Sequence, residues 1–515
     1  MISKLRRQLQ KRKAQTHERV DPINWSGQSP MIDPPAIRYE LSEKQQAISA
    51  GGIGVVLEAI KTLGVREAIN EHLTLLKLHL PYDEADHVLN IALNLLAGGT
   101  CLDHLEEIRN DQAWLNAFGA QRIPDPTTAG DFCRRFHQQD ILQLQQGFNQ
   151  IRRIAWQQQP DEFFEQAVIE ADGSMVETCG EKKQGIGMNY KKQWGYHPLL
   201  ISLANTNEPL YIVNRSGNRP SHEHSGLFFD MAIEQCRTAG FRSVLLRGDT
   251  DFALTENFDR WSEDGVEFVF GIDAMPKLVG IADDLEKDCW KRLTRQRSSS
   301  GKPRAKGPNH KQAVVQEKGY QNKRLKGEWV AEFDYQPGQC SRTYRVIVLR
   351  KEVEVTSGQQ KLFDDEPYFF YITNIPKAKQ SARQIVSQAN QRCDQENLIS
   401  QLKASGAFTA PLDNLHSNWA YMVIASLAWS LKIWCGLLIR AEHVEEVGKQ
   451  QASSLKATKR EIIRMEFRTF CQRLLNIPAQ IIQQARGLTY RLLSYRESVE
   501  VLFLLHHHVR QPLRC

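Results

Sequence analysis

The chain has 515 residues, 41% of them hydrophobic and 24% charged, which suits about three soluble domains with ordinary cores and excludes global disorder. The formal net charge of +6 names no partner by itself, but residues 1–13 carry six Lys or Arg and no acid, and residues 291–326 carry twelve against the single acid Glu317. Cationic charge gathered into two segments is how a nucleic-acid surface appears in a sequence; the plainer reading is a pair of solvated basic loops.

Residues 1–36 are expected to form a basic arm and linker, with Pro22, Pro30, Pro34 and Pro35 breaking regular structure. Residues 37–160 read as helical. The strongest periodic run is Ala85 to Leu96, stopped by Gly98-Gly99. Gly51-Gly52-Ile53-Gly54 lacks the Gly-Lys-Ser/Thr of a phosphate loop and reads as a turn before a helix. Pro124-Asp125-Pro126-Thr127-Thr128 sets up a further helix start, with Asp131 expected in the first turn.

The pattern changes near residue 166. Ala167–Gly173, His197–Ala204, Pro209–Asn214, Ser243–Asp249 and Glu267–Gly271 read as strands. Helices are expected at 222–239, with Ser221 as N-cap, and at 253–264. This order predicts an α/β layer with a mixed sheet. Residues 274–376 interrupt it with the basic segment, including Arg292, Arg295 and Arg297, and then with β-rich stretches at Tyr344–Leu349 and Tyr368–Ile372. One helix is expected over 380–405, and helices over 415–515. Trp419 to Ile439 is nearly long enough to span a bilayer, but it contains Lys432, Ser426 and Ser430 and reads as a buried core helix. Ten cysteines are scattered without a C-x-x-C pair, and the N-terminus lacks an apolar signal run, which together suit a reduced cytoplasmic setting.

Three carboxylates stand out. Asp172 and Asp249 close buried strands, where a charged group is costly unless water or a cation meets it. Glu396 lies on the 380–405 helix, with Arg392 four residues before it and Lys403 seven after, all on one face. Two Asp and one Glu are hard oxygen ligands, suited to Mg²⁺ or Mn²⁺. The alternative for the Glu396 face is an ordinary surface ion pair. His222-Glu223-His224 and His506–His508 read as surface or packing features rather than metal sites. Lys191-Lys192-Gln193-Trp194 mixes cations with an aromatic and reads as a nucleic-acid contact or a solvated turn.

Arg392-x-x-x-Glu396-x-x-x-x-x-x-Lys403 resembles the Tyr-x-x-Arg-x-x-x-Glu-x-x-x-x-x-x-Lys signature of bacterial insertion-sequence transposases of the Asp-Asp-Glu class, with Ala389 at the Tyr position. Glu170-Ala171-Asp172-Gly173-Ser174 and Arg247-Gly248-Asp249-Thr250-Asp251-Phe252 resemble their first- and second-Asp motifs, with Asp251 where the family usually has Gly. Pro126-Thr127-Thr128, Gly195–Leu200 and Arg215-Ser216-Gly217-Asn218 are similar to segments of insertion-sequence family thirteen-eighty. The scattered motifs cover roughly residues 80–440.

The resemblance implies a ribonuclease H-like core at 161–273 and 377–440. A β-rich insertion at 274–376 would interrupt it, flanked by a helical DNA-binding region at 37–160 and a helical region at 441–515. It implies two Mg²⁺ or Mn²⁺ ions held by Asp172, Asp249 and Glu396, and DNA contacts from Arg392, Lys403, Lys191, Lys192, Arg292, Arg295 and Arg297. The implied activity is cleavage at terminal inverted repeats and joining to target DNA, within a homodimeric synaptic complex on double-stranded DNA, with no membrane partner. The basic segment would lie near the transposon end. Relatives with such an insertion can pass through a hairpin in which an aromatic holds a flipped base; Trp290 and Trp329 are the candidates here, with a place in the core as the equal alternative. Competing readings are a nuclease or resolvase without strand transfer and a silent DNA-binding repressor. A glycoside hydrolase with paired carboxylates fits the basic segments poorly.

Overall fold

The computed structural model describes residues 2–20, 37–39, 45–294, 322–357, 368–441, 449–485, 487–494 and 496–514. Arg295 and Arg297, with most of the basic segment, lie outside the described residues. The basic N-terminal stretch is helix α1 (Ile2–Val20), which buries Leu9.

Helices α2 (Ile53–Thr62), α3 (Val65–His72) and α4 (Glu84–Leu96) follow. The Gly51-Gly52 turn does precede a helix. A Cβ on Gly52 would lie 1.9 Å from the Leu474 carbonyl oxygen, so the pair lets the C-terminal region pack against the turn. Asp83 caps α4 through the Asp86 amide at 2.9 Å. Asp125 caps α5 (Pro126–Arg134) through the Thr128 amide at 2.8 Å. Asp131 falls in the second turn, not the first, and pairs with Arg134 at 2.8 Å. Helix α6 (Gln138–Trp156) leads to the sheet.

The main sheet has nine strands: β1 (Gln166–Gly173), β2 (Leu199–Leu203), β3 (Glu208–Val213), β4 (Ser243–Gly248), β5 (Glu267–Ile272), β6 (Lys291–Arg292), β7 (Asn322–Tyr335), β8 (Tyr344–Ser357) and β9 (Tyr368–Thr373). Their order is β6-β7-β8-β9-β5-β4-β1-β2-β3. Strands β1, β4 and β5 run parallel, and every other neighbouring pair is antiparallel. The mixed sheet expected for 166–271 is present, and the β-rich stretches of 274–376 extend its edge through the β5–β9 pairing.

Side-chain alternation gives the sheet two faces. Val244, Leu246, Phe268 and Phe270 join the large core, with Phe229 of α7 (Ser225–Ala239). Leu245, Val269, Ile347 and Leu349 pack with Ile385 and Val386 of α8 (Ala382–Asn390) on the opposite face. Helix α7 begins three residues later than expected, after His224 at φ 62°, so Ser221 does not cap it. The helix expected at 253–264 is shorter, spanning Phe258–Glu263 after a 3₁₀ turn.

The helix expected over 380–405 is two helices, α8 and α9 (Cys393–Ala404). At the break, the Gln388 carbonyl accepts from Arg247 and from the Gln391 amide instead of continuing the α ladder. Helix α10 (Leu415–Leu437) is the long apolar segment, a core helix buried from Ser417 to Leu437. It packs against α2, α4, α5, α6 and β3, and against α11 (Lys449–Arg464) and α12 (Ser498–Val509). The C-terminal region is not purely helical. Ala479–Gln484 and Gly487–Leu492 form a hairpin whose outer partner is Ala47–Ile48.

Candidate active site at the strand ends

The even positions of β1 and the odd positions of β4 point to the face that α8 and α9 cover. Glu170 and Asp172 therefore stand beside Arg247 and Asp249. Arg247 and Glu170 are both buried and pair at 2.6 Å. Arg247 also donates to the Gln388 carbonyl at 3.1 Å and to Gln391 Oε1 at 3.2 Å. Gln395 Nε2 donates to the Leu200 carbonyl oxygen at 3.2 Å. These bonds fix the α8–α9 junction over the ends of β1 and β4.

Arg392 sits at that junction and meets all three carboxylates. Its guanidinium lies 3.6 Å from Asp172, 3.5 Å from Asp249 and 3.3 Å from Glu396. Burial and the neighbouring Asp249 carboxylate push the Asp172 carboxyl up to about 6. Burial also raises Asp249, against the opposing pull of Arg392. Lys403 is lowered by partial burial, while Glu177 and Asp172 hold it up. Acidic charge is thus in excess, with Arg392 the cation that all three carboxylates share. Asp251 follows the turn and donates its amide to Asp249 Oδ1 at 3.1 Å.

Among the described residues, no three His, Cys, Asp or Glu side chains form a group ready to hold a metal ion. The guanidinium of Arg392 stands between the carboxylates. The donor set is nonetheless all oxygen, and neither Asp172 nor Asp249 is within hydrogen-bonding distance of Arg392. Such a set fits a hard divalent cation.

Lys191 and Lys192 lie in the turn between the short strands Gly187–Met188 and Trp194–Tyr196. Asn189 Oδ1 accepts the Lys191 and Gln193 amides, each at 2.9 Å, and braces the turn. Its tip exposes Tyr190 at 90% and Trp194 at 48%. Tyr190 was not singled out from sequence, although its setting between Asn189 and two lysines was a visible turn signal. His197 was also passed over. A Cβ on Gly173 would meet its Nε2 at 2.9 Å, which places the ring beside the end of β1.

The structure does not bring Arg292 to the carboxylates. It is exposed on edge strand β6, five strands from β4, or about 24 Å at ordinary sheet spacing. Trp290 stacks on Tyr368 with ring centres 6.1 Å apart and carries Arg350 4.5 Å above it. Trp329 donates to Glu352 at 2.9 Å. Both indoles are thus engaged within the sheet extension.

Residues 42–512 match the model of the family described as transposase DDE domain, group 1. The chain belongs to that family of DNA transposases. Among solved structures it is similar to a cryo-EM structure of a piggyBac transposase synaptic complex with hairpin DNA, at 9% identity over 84% of each chain and a TM-score of 0.33. A search of curated proteins finds no match.

Proposed function

We propose that the chain cuts DNA at the terminal inverted repeats of an insertion sequence, of the kind found in family thirteen-eighty, and joins the ends to target DNA. The observation that carries the site assignment is the convergence of Asp172, Asp249 and Glu396 on one guanidinium at the ends of two parallel strands. The order β5-β4-β1-β2-β3, with β1, β4 and β5 parallel, supports a ribonuclease H-like core.

Asp172, Asp249 and Glu396 would hold Mg²⁺ or Mn²⁺. Two such ions, when bound, activate the attacking oxygen and stabilise the leaving oxygen of an in-line displacement at phosphorus. The chain's own part is to desolvate Asp172 and Asp249 and to place cations around the scissile phosphate. Arg247 and Gln395 hold the α8–α9 junction so that Glu396 faces the two Asp. Arg392, once released from the carboxylates, is in position to take a phosphate oxygen, and Lys403 flanks it. The braced turn at 188–194 offers Lys191 and Lys192 to the backbone and Tyr190 to a base or sugar.

The test is Mg²⁺-dependent cleavage of a duplex carrying the element's terminal repeat, comparing wild type with Glu396→Ala. We expect cleavage to fall at least ~1000-fold in the variant with DNA binding retained. Cleavage that survives the change would mean that Glu396 is not the third ligand. Cleavage without joined products would favour the nuclease.

A further inference from the structure

A second charged feature lies at the end of the sheet opposite the carboxylates. Helix α11 buries Ala452, Leu455 and Ile462 and leaves Lys456, Arg460 and Arg464 exposed. The three cations recur every four residues, so they stand one above another at about 6 Å intervals. With Phe163 and the β2–β3 turn at 204–207 they line a groove of about 720 Å³. Glu162 is the one carboxylate among the described residues that line it. Lys456, Arg460 and Arg464 have no ion-pair partner among the described residues.

Both walls of the groove are fixed. Lys432 of α10 donates to the Ile463 carbonyl of α11 at 2.7 Å. A Cβ on Gly436 would come within 3.2 Å of Ile462 and Ile463, so the two helices touch closely there. Across the groove, Asn205 Oδ1 accepts the Val168 amide at 2.9 Å, and Trp429 Nε1 donates to the Asn207 carbonyl oxygen at 2.7 Å. A row of unpaired cations on a fixed backbone already presents its charge to a polyanion, so binding has only the side chains left to order.

The position separates this groove from the carboxylates. Asn205 bonds to β1 at Gln166 and Val168, whereas Asp172 is at the far end of the same strand. The intervening strand spans about 15 Å. A phosphate held at α11 is therefore not the phosphate cut at Asp172.

We propose that the α11 groove is a second phosphate-backbone site, binding a duplex DNA segment separate from the one processed at the carboxylates. The identity of the polyanion as DNA rests on the transposase reading; the site itself rests on the charge and geometry of α11.

The experiment uses the full chain carrying Lys456→Ala, Arg460→Ala and Arg464→Ala together, with Lys456→Arg, Arg460→Lys and Arg464→Lys as the charge-preserving control. Affinity for a random-sequence duplex is followed by fluorescence anisotropy as salt is raised. Three lost phosphate contacts should flatten the log–log salt slope by about 2.7. The loss of affinity between about 50 and about 200 mM salt should then shrink by about 40-fold relative to wild type. The charge-preserving variant should keep the wild-type slope, and cleavage of a short duplex ending at the terminal repeat should be unchanged in both. A wild type that binds and cuts while the alanine variant keeps its slope overturns this proposal alone. A wild type that neither binds nor cuts any duplex overturns the functional reading and this one with it.

Discussion

The two ends of the central sheet treat their carboxylates in opposite ways. At one end Glu208 is fully buried and saturated with donors: Arg152 at 3.1 Å, Trp156 at 2.9 Å, Trp434 at 2.8 Å and Thr206 at 2.5 Å. At the other end Asp172, Asp249 and Glu396 share one arginine at 3.3–3.6 Å. A saturated carboxylate is a joint, because every lone pair is already spent on the protein. An undersupplied set still has lone pairs free to meet a group from outside the protein.

The largest expected effect breaks the joint. Glu208→Ala leaves the buried Arg152 guanidinium and two indole N–H groups without their acceptor, so we expect a loss of about 3–5 kcal/mol in chemical denaturation. Asp172→Asn should do the reverse. In ion-free protein it removes a repelled charge, and we expect a gain of about 1–3 kcal/mol at neutral pH while cleavage is abolished.

The sign of the pH dependence follows from the Asp172 carboxyl being raised to about 6. Its contribution to stability is fully present below about pH 4, the usual carboxyl range, and is lost as pH rises through about 6. The difference in stability between Asp172→Asn and wild type should therefore open between about pH 4 and 6; a flat difference would show that the site is not desolvated.

Arg247→Met tests whether the junction is held from beneath. It removes the bonds to Gln388 and Gln391 and strands the buried Glu170. We expect about 2–3 kcal/mol of lost stability, and a lower cleavage rate than that loss explains when measured well below the melting temperature. Tyr190→Ala should be the mildest, with stability unchanged within ~0.5 kcal/mol and affinity for the terminal duplex reduced by about 1 kcal/mol, read by titration.

What was legible in the sequence was local. Strands β1 to β5 announced themselves as short apolar runs, three of them ending in Gly or Asp, and α10 as an apolar stretch too polar at Lys432 to suit lipid. The motif around Arg392, Glu396 and Lys403 pointed to side chains that the structure brings beside Asp172 and Asp249, although the helix expected to carry them is broken. That break depends on Arg247, a residue 145 positions before Arg392 in the chain. The hairpin at 479–492 was missed because its strands mix Gln and Arg among few apolar residues, and its third strand, Ala47–Ile48, is a distant pairing that no local pattern reports. Glu208 was passed over for the same reason. Its donors Arg152, Trp156, Thr206 and Trp434 come from three separate elements and meet only in the fold.

The central position of α10 sets the order in which the protein can become stable during synthesis. Helices α2, α4, α5 and α6 rest on a helix that begins only at Leu415, after the whole sheet has been made. At ordinary translation rates they spend on the order of tens of seconds outside the ribosome with the faces they turn to α10 uncovered. A nascent chain stopped before Leu415 is therefore a substrate for chaperones and proteases, which couples the supply of enzyme to uninterrupted translation of its message.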